Sequence, residues 1–445
     1  MEQRNLKRTH FSFMLPIKNN KVGISELKPI KHPATFQKSL RATLIIGQVF
    51  SLFPVQGVSS KSASNVVFVW CSWKFIYLLL SLLGQIFITM MCLYRVLHNT
   101  SSLNVTTPVI FYGTTCVTTL MFLRVAMLWP ALVRHIAHVE DQEPYYDKNL
   151  TYKCNTTCAV VLSLALMEHI LSLLSAFAGT MVCHGENLTH QTFVKHFYPW
   201  VFNYLPYSFL LGVLTQFLHV QSTFIWNFSD LFVICMSYYL TSRLEHVNKQ
   251  LLSAQGKYLP ETFWRAIREE YCRAAQLVRQ VDDVISGVIF ISFANNLFFI
   301  CLQLFNTLED GIKGNGECSS RSKGNTSSLL GGYEAAAYFL FSLVYLIIRS
   351  IAVSLIASQV NTASNVPATV LYDVPSPVYC VEVQRFLDQV NGDNVTLSGL
   401  QFFSVTRGLL LTVAGTIVTY ELVMFQFNTQ PQSSDASSTT ATLQL

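Results

Sequence analysis

Seven stretches of the chain are long and apolar enough to cross a membrane, which takes about 20 mostly hydrophobic residues. They cover approximately residues 72–96, 107–130, 156–181, 201–240, 284–308, 333–358 and 403–428. The fourth and fifth border long amphipathic sequence, which predicts helices that continue beyond the bilayer. An eighth apolar stretch, 42–55, is short, carries Gln48 and Ser51 and stops at Pro54. It reads as an interfacial or buried helix. Between spans, 243–282 places Leu244, Val247, Leu251, then Phe263, Ala266, Ala275 and Val278 at helical spacing. Residues 376–391 do the same with Val378, Val381, Phe386, Leu387 and Val390. Such stripes bury a face, either within a helical bundle outside the bilayer or on the membrane surface.

Composition agrees with this pattern. Of 445 residues, 51% are hydrophobic and only 12% charged, where a soluble domain carries roughly 25% charge. The expected fold class is therefore an all-α membrane protein. The first thirty residues are basic and polar with no apolar h-region, so the first span is expected to act as the insertion signal. Residues 1–63 hold ten Lys/Arg against two acids, and 243–282 holds seven more basic residues. The opposite loops carry only Lys195, Lys313, Arg321 and Lys323. This bias predicts a cytoplasmic N-terminus, and seven spans then leave the C-terminus outside. Asn99, Asn104, Asn187 and Asn325 are glycosylation candidates in the expected outer loops. Asn149, Asn155 and Asn394 also fit N-x-S/T in expected inner loops, so charge decides the orientation. Cys183 and Cys318 both fall in outer loops, where an oxidising setting permits a bridge.

The expected organisation is a basic cytoplasmic tail (1–36), a short helix and linker (37–71), and six spans with intracellular extensions (72–358). A cytoplasmic anchor-helix region (359–402), a seventh helix (403–428) and an extracellular tail (429–445) follow.

No nucleophile elbow, phosphate loop or zinc-protease motif is present, so no enzyme activity is expected. No metal or cofactor site and no nucleic-acid partner is expected either. The basic N-terminus suits the inner leaflet of the lipid bilayer. Ionisable groups inside spans are the first functional candidates. Glu168 and His169 sit near the middle of the third span, about 100° apart on the helix, so one of them at most faces a given pocket. A helix–helix hydrogen bond accounts for them equally well. Arg124 and Arg349 lie toward expected cytoplasmic helix ends, where snorkelling explains them.

Aromatic faces and paired polar groups would suit a small polar ligand. The outer end of the fourth span offers Tyr198, Trp200, Asn203, Tyr204 and Tyr207. The fifth offers Asn295, Asn296 and Gln303, and the sixth Tyr333, Glu334 and Tyr338. Tyr and Trp at a membrane boundary also belong to the ordinary interface belt.

The last span closes on Thr419-Tyr420-Glu421-Leu422-Val423-Met424-Phe425-Gln426-Phe427. Thr419, Val423 and Gln426 share one helical stripe, and Phe427 lies on the neighbouring one. This T-Y-x5-Q-F pattern resembles the C-terminal signature of insect gustatory receptors, and more narrowly the sugar-receptor branch. Leu52-Phe53-Pro54-Val55-Gln56-Gly57, Glu168-His169 and Arg407 fit the same branch. The resemblance covers residues 37 to 428 and implies a tetrameric ligand-gated cation channel, homomeric or built with related subunits. It implies a sugar pocket open to the outside, an anchor domain of cytoplasmic helices, and a pore gate at Gln426 and Phe427. Thr419 and Val423 would line the pore. The setting it implies is the plasma membrane of chemosensory neurons, at the dendrite. A silent co-receptor subunit, a seven-helix G-protein-coupled receptor and a sugar transporter remain rival readings.

Overall fold

The computed structural model describes residues 35–60, 62–98, 103–143, 147–184, 189–310 and 333–428. Side chains at several helix ends, Phe427 among them, lie outside that description, as do residues 99, 187, 318 and 325 and the side chain of Asn104. Among the described residues eleven α-helices follow in chain order: α1 (Thr35–Val49), α2 (Trp73–His98), α3 (Leu103–Gln142), α4 (Leu150–His184), α5 (His190–Phe197) and α6 (Pro199–Phe202). Then come α7 (Phe209–Ala254), α8 (Glu261–Asp310), α9 (Glu334–Tyr372), α10 (Val381–Gly392) and α11 (Arg407–Asn428). Among the described residues six helices are long and apolar enough to cross a membrane, namely α2, α3, α4, α7, α8 and α9. The protein is a multi-pass membrane protein. The expected seventh span is a single helix, α11, of 22 residues.

Helix α7 is the column of the bundle and packs against α2, α3, α4, α8 and α9. Its buried residues occur on every side, from Gly212 to Ala254, as expected for a helix surrounded by other helices. At 46 and 50 residues, α7 and α8 are about 69 and 75 Å long at 1.5 Å per residue. Both far exceed the roughly 30 Å hydrocarbon core. The surplus forms a bundle at one end of the molecule with α1 and α10, which holds most of the largest hydrophobic cluster. Helix α10 is amphipathic, burying Val383, Phe386, Leu387 and Val390 at steps of three and four; of the expected stripe, Val381 is exposed and Val378 lies in the turn before the helix. Helix α1 is a buried helix, with Phe36, Leu40 and Leu44 turned inward. The opposite end carries α5 and α6.

Two expectations change. The fourth span does not begin at 201. Pro206 disfavours helical backbone at Leu205, the chain turns, and α7 starts only at Phe209 behind Ser208. The aromatic residues assigned to the end of that span therefore belong to the α5–α6 junction (Tyr198), to α6 (Trp200) or to the turn after it (Tyr204 and Tyr207). The sixth helix does not stop at 358 either; α9 runs unbroken to Tyr372.

The Leu52–Gly57 stretch has a plain structural role. Ser51 and Phe53 take positive φ (62° and 66°), and Phe53 is fully buried against Trp129 and Phe232. The Gln48 side-chain amide closes the turn: its Nε2 donates to the Phe53 and Val55 carbonyls at 3.2 and 2.7 Å. Lys74 Nζ donates to Gln48 Oε1 at 2.8 Å. The turn feeds a short antiparallel pair, β1 (Val55–Gln56) with β2 (Val67–Phe68). Gly57 has φ +77°, and a Cβ there would meet the Asn65 carbonyl oxygen at 2.0 Å. A second pair, β3 (Ser398–Gly399) with β4 (Phe403–Ser404), leads into α11.

Candidate functional site

Polar groups converge in the half of the bundle capped by α5 and α6. On α4, Glu168 and His169 diverge as their 100° offset requires. Glu168 turns toward α9, where Ser342 Oγ donates to its Oε1 at 2.6 Å. Gln303 Nε2 on α8 donates to Ser342 Oγ at 3.1 Å, while Gln303 Oε1 is buried with no hydrogen-bond partner. Tyr338 stands beside Ser172, Ser342 and Glu168. Ser342, which sequence reasoning missed, is thus the junction that brings Glu168, Gln303 and Tyr338 together.

His169 turns toward α7. Its ring lies 5.8 Å from that of His219, and its Nε2 is buried and unpartnered. The Tyr112 hydroxyl and His219 Nδ1 are 2.9 Å apart. Phe197, Tyr198 and Phe111 surround the same imidazole at 5.5, 5.6 and 5.9 Å. Trp200 packs on Tyr112 and Tyr198, and Trp226 packs on Phe299 and Phe111. Both indole N–H groups are buried without an acceptor. A buried polar group left unpaired costs about 1–3 kcal/mol. Among the described residues, His169 Nε2, Trp200 Nε1 and Gln303 Oε1 are left unpaired in this half of the bundle, and Trp226 Nε1 is left unpaired beside Arg349.

A cavity of about 480 Å³ adjoins this cluster, between α4, α5 and α7. Ile170, Leu173, Leu174 and Phe177 form one wall, facing Thr189, His190, Phe193 and Gln216. It is an open groove with a mostly apolar lining. Helix α5 is held in place by a capping box in which Thr189 and Thr192 each bond the other's backbone N–H. His190 bridges Tyr207, at 2.7 Å, and Gln216, at 3.3 Å. Helical spacing sets Leu173 one turn from His169 and Gln216 one turn from His219, so the cavity abuts the histidine pair.

Other expected site residues lie elsewhere. Tyr204 packs edge-on against Tyr94 of α2. Asn295 is buried on α8, and Glu334 is buried in the first turn of α9. Asn296 is committed to a charged pair deeper in the bundle, donating to Asp230 Oδ2 at 3.0 Å. Arg349, expected to snorkel to a helix end, does not: it is buried with its Nε 2.8 Å from Asp230 Oδ2. The acid in the fourth span was the signal for this partner, since an uncompensated charge at that depth is costly. Cys183 is disulfide-bonded, while Cys318 lies outside the described residues, as do Asn99, Asn187, Asn325 and the side chain of Asn104.

The last helix rests on α8 and α9, with Ile417 on the packed side. On the opposite side Thr412, Thr416, Thr419, Val423 and Gln426 form one exposed stripe at steps of four and three. The three threonine hydroxyls donate to the carbonyls of Gly408, Thr412 and Gly415. This satisfies their protons within the helix and leaves oxygen lone pairs outward. Leu411, Val418 and Leu422 form a second exposed stripe, at 76%, 58% and 59% exposure. Both Glu421 oxygens are buried with no hydrogen-bond partner among the described residues.

Comparison with known proteins gives these features a context. The family described as trehalose receptor matches residues 17–315 and 325–436. In Drosophila melanogaster, the gustatory receptor for sugar taste 64f is 34% identical over 413 residues, covering 92% of this chain and 84% of the relative. Gustatory receptor 5a for trehalose is 32% identical over 435 residues, covering 95% and 94%. The insect olfactory receptor OR5 from Machilis hrabei, solved in complex with eugenol, shares the fold. It aligns with a TM-score of 0.60 at 14% identity over 88% of this chain and 99% of that one. The end motif, the buried Leu52–Gly57 turn and these matches along nearly the whole chain agree: the protein belongs to the insect gustatory receptors, in their sugar-receptor branch.

Proposed function

We propose that this chain is a subunit of a sugar-gated, nonselective cation channel in the plasma membrane of chemosensory neurons, at the dendrite. The observation that carries this reading is the two-stripe surface of α11. One stripe presents Thr412, Thr416, Thr419, Val423 and Gln426, and the other presents Leu411, Val418 and Leu422. Four copies around an axis use both: the threonine stripe faces a water-filled path for monovalent and divalent cations, and the leucine stripe meets the next subunit. The four subunits are identical or include related receptor chains.

Charge bias supports a cytoplasmic N-terminus, which puts the α5 end and the Gln426–Phe427 gate outside. The bundle of α1, α10 and the ends of α7–α9 then forms the cytoplasmic anchor. A hydrophobic ring closes a pore by dewetting, and a polar ring admits hydrated ions. A modest rotation of α11 therefore exchanges Phe427 for Gln426 at the constriction. The sugar enters from outside through the cavity at His190 and Gln216 and reaches the unpaired atoms of His169, Trp200, Trp226 and Gln303.

The energetics are modest. Moving a two-state equilibrium from 1:99 to 99:1 takes about 5.5 kcal/mol of differential binding, or roughly 1.4 kcal/mol at each of four pockets. Millimolar binding is worth about 4 kcal/mol per site, which leaves room for that difference. Because one relative is named for trehalose, that disaccharide heads the test panel. The experiment is expression in a receptor-free cell with calcium imaging across sugars, alone and with related subunits. A sugar-evoked signal is expected; its absence in every pairing, despite surface expression, would sink the reading.

A further inference from the structure

Below the aromatic cluster, toward the α10 end, the bundle is charged. Asp230 on α7 and Arg349 on α9 have side chains only 0% and 2% exposed, and Arg349 Nε lies 2.8 Å from Asp230 Oδ2. Ser292 donates to Asp230 Oδ1, and Asn296 Nδ2 donates to Oδ2 at 3.0 Å. Arg349 donates from Nη1 to Asn227 Oδ1 and from Nη2 to Asn296 Oδ1 at 3.3 Å. The Tyr345 hydroxyl lies 2.9 Å from Asn227 Oδ1 and 3.1 Å from the Val161 carbonyl of α4. The face of Trp226 covers the guanidinium, 4.7 Å from Cζ to ring centroid. Four helices thus meet at one ion pair.

Stability alone does not account for it, since well-packed apolar side chains often hold helices together as well as a buried ion pair does. Its position is more telling. Ser342 and Arg349 are seven residues apart on α9, Gln303 and Asn296 seven apart on α8, and His219 and Trp226 seven apart on α7. Seven residues are two turns, about 10 Å, so each helix carries the two layers on nearly the same face. The layer of His219, Gln303 and Ser342 stacks directly on the charged layer, to which Trp226 belongs. Helix α11 rests on two of these three helices, α8 and α9.

We propose that Asp230 and Arg349 are positioning residues for gating: they hold α7, α8 and α9 in register beneath the ligand layer, so that a ligand-driven shift of α9 moves the α8–α9 seat of the pore helix. This rests on the channel reading above. A ligand that draws Ser342 away from Glu168 or Gln303 moves α9 relative to α4 and α8. Because Arg349 is forked to Asp230, Asn227 and Asn296, the motion is carried as a rigid unit and is not absorbed locally.

The test replaces the pair without leaving an orphan charge, as Asp230→Leu with Arg349→Met, and separately exchanges it, as Asp230→Arg with Arg349→Asp. Surface labelling, sugar-evoked current and the sugar-dependent thermal shift of purified receptor are measured, using trehalose or whichever sugar drives the wild type best. The apolar pair is expected to keep the thermal shift while maximal current falls about tenfold, and the exchanged pair to recover current. Wild-type current in the apolar pair, or loss of thermal shift in step with current, overturns the proposal. If the apolar pair fails to reach the surface, Arg349→Lys is scored by the same two readouts. A wild type that never responds to sugar defeats the channel reading instead.

Discussion

Single atoms decide how the candidate site divides its work. Ser342 Oγ donates to Glu168 and accepts from Gln303, so those two side chains are oriented before any ligand arrives. The unpaired atoms at His169, Trp200, Trp226 and Gln303 are the ones free to bond something new. Trp200→Phe separates packing from recognition at this scale, because it keeps an aromatic ring and removes only the orphan N–H. Thermal stability of the purified receptor should stay level or rise, while the sugar concentration for half-maximal response should increase several-fold, about 1 kcal/mol or more in recognition. An unchanged dose–response would remove Trp200 from the site. At the gate, Phe427→Ala should raise ligand-free current. If basal current measured in patches is the same as wild type, the dewetting account fails.

Helices act through faces, and α10 and α11 show the two uses of a face. Helix α10 is amphipathic and docks by Val383, Phe386, Leu387 and Val390, with Phe386 against Tyr271 at 5.3 Å. Its one buried acid, Glu382, meets Arg268 at 2.9 Å and Arg385 at 2.8 Å. The Arg268 hydrogen bond first, and the two positive charges with it, hold the Glu382 carboxyl below its ordinary value of 4.5. A carboxyl whose pKa is depressed by folding stabilises the fold above the ordinary value and loses that contribution as pH falls through the depressed one. The docking of α10 should therefore weaken below about pH 4.5, seen as faster amide exchange across 381–392. Glu382→Gln should flatten that acid limb; an identical pH profile in the variant would show that Glu382 does not govern it. Helix α11 exposes its faces instead. Cysteines placed at Thr412, Thr416 and Thr419 should react with small water-soluble thiol reagents during sugar application, and one at Leu422 should not. Equal labelling at both stripes would contradict the assignment of the threonine face to the pore.

At the scale of the whole molecule, the bundle is layered along its length. An α5-capped layer holds the groove and the unpaired atoms of His169, Trp200 and Gln303, a charged layer that includes Trp226 lies two turns deeper, and the far bundle of α1, α10 and the ends of α7–α9 carries most of the hydrophobic core. Helix α11 touches α8 and α9, two of the helices that pass through all three layers. On the proposed channel reading, this arrangement would give a ligand at one end mechanical access to α11 without any direct contact between them. It also predicts that sugar binding and conduction come apart under mutation of the middle layer, as the paired substitutions at Asp230 and Arg349 are designed to reveal.

Six of the spans, most of the amphipathic stripe of α10, the buried character of α1 and the end motif were legible in the chain, because hydrophobic periodicity and motif spacing are local properties that neighbours a few residues apart suffice to define. Glu168, Gln303 and Tyr338 were legible as residue types needing partners, though Ser342 as their junction was not. The pairing of Asp230 with Arg349, the His169–His219 contact and the cavity under α5 belong to the tertiary structure alone. Each joins positions on different helices, separated by tens of residues or more, and their meeting depends on how α7 is rotated and where Pro206 delays its start. A sequence states which groups cannot remain alone in an apolar interior; only the packing of helices decides which groups they meet and which atoms are left for a ligand.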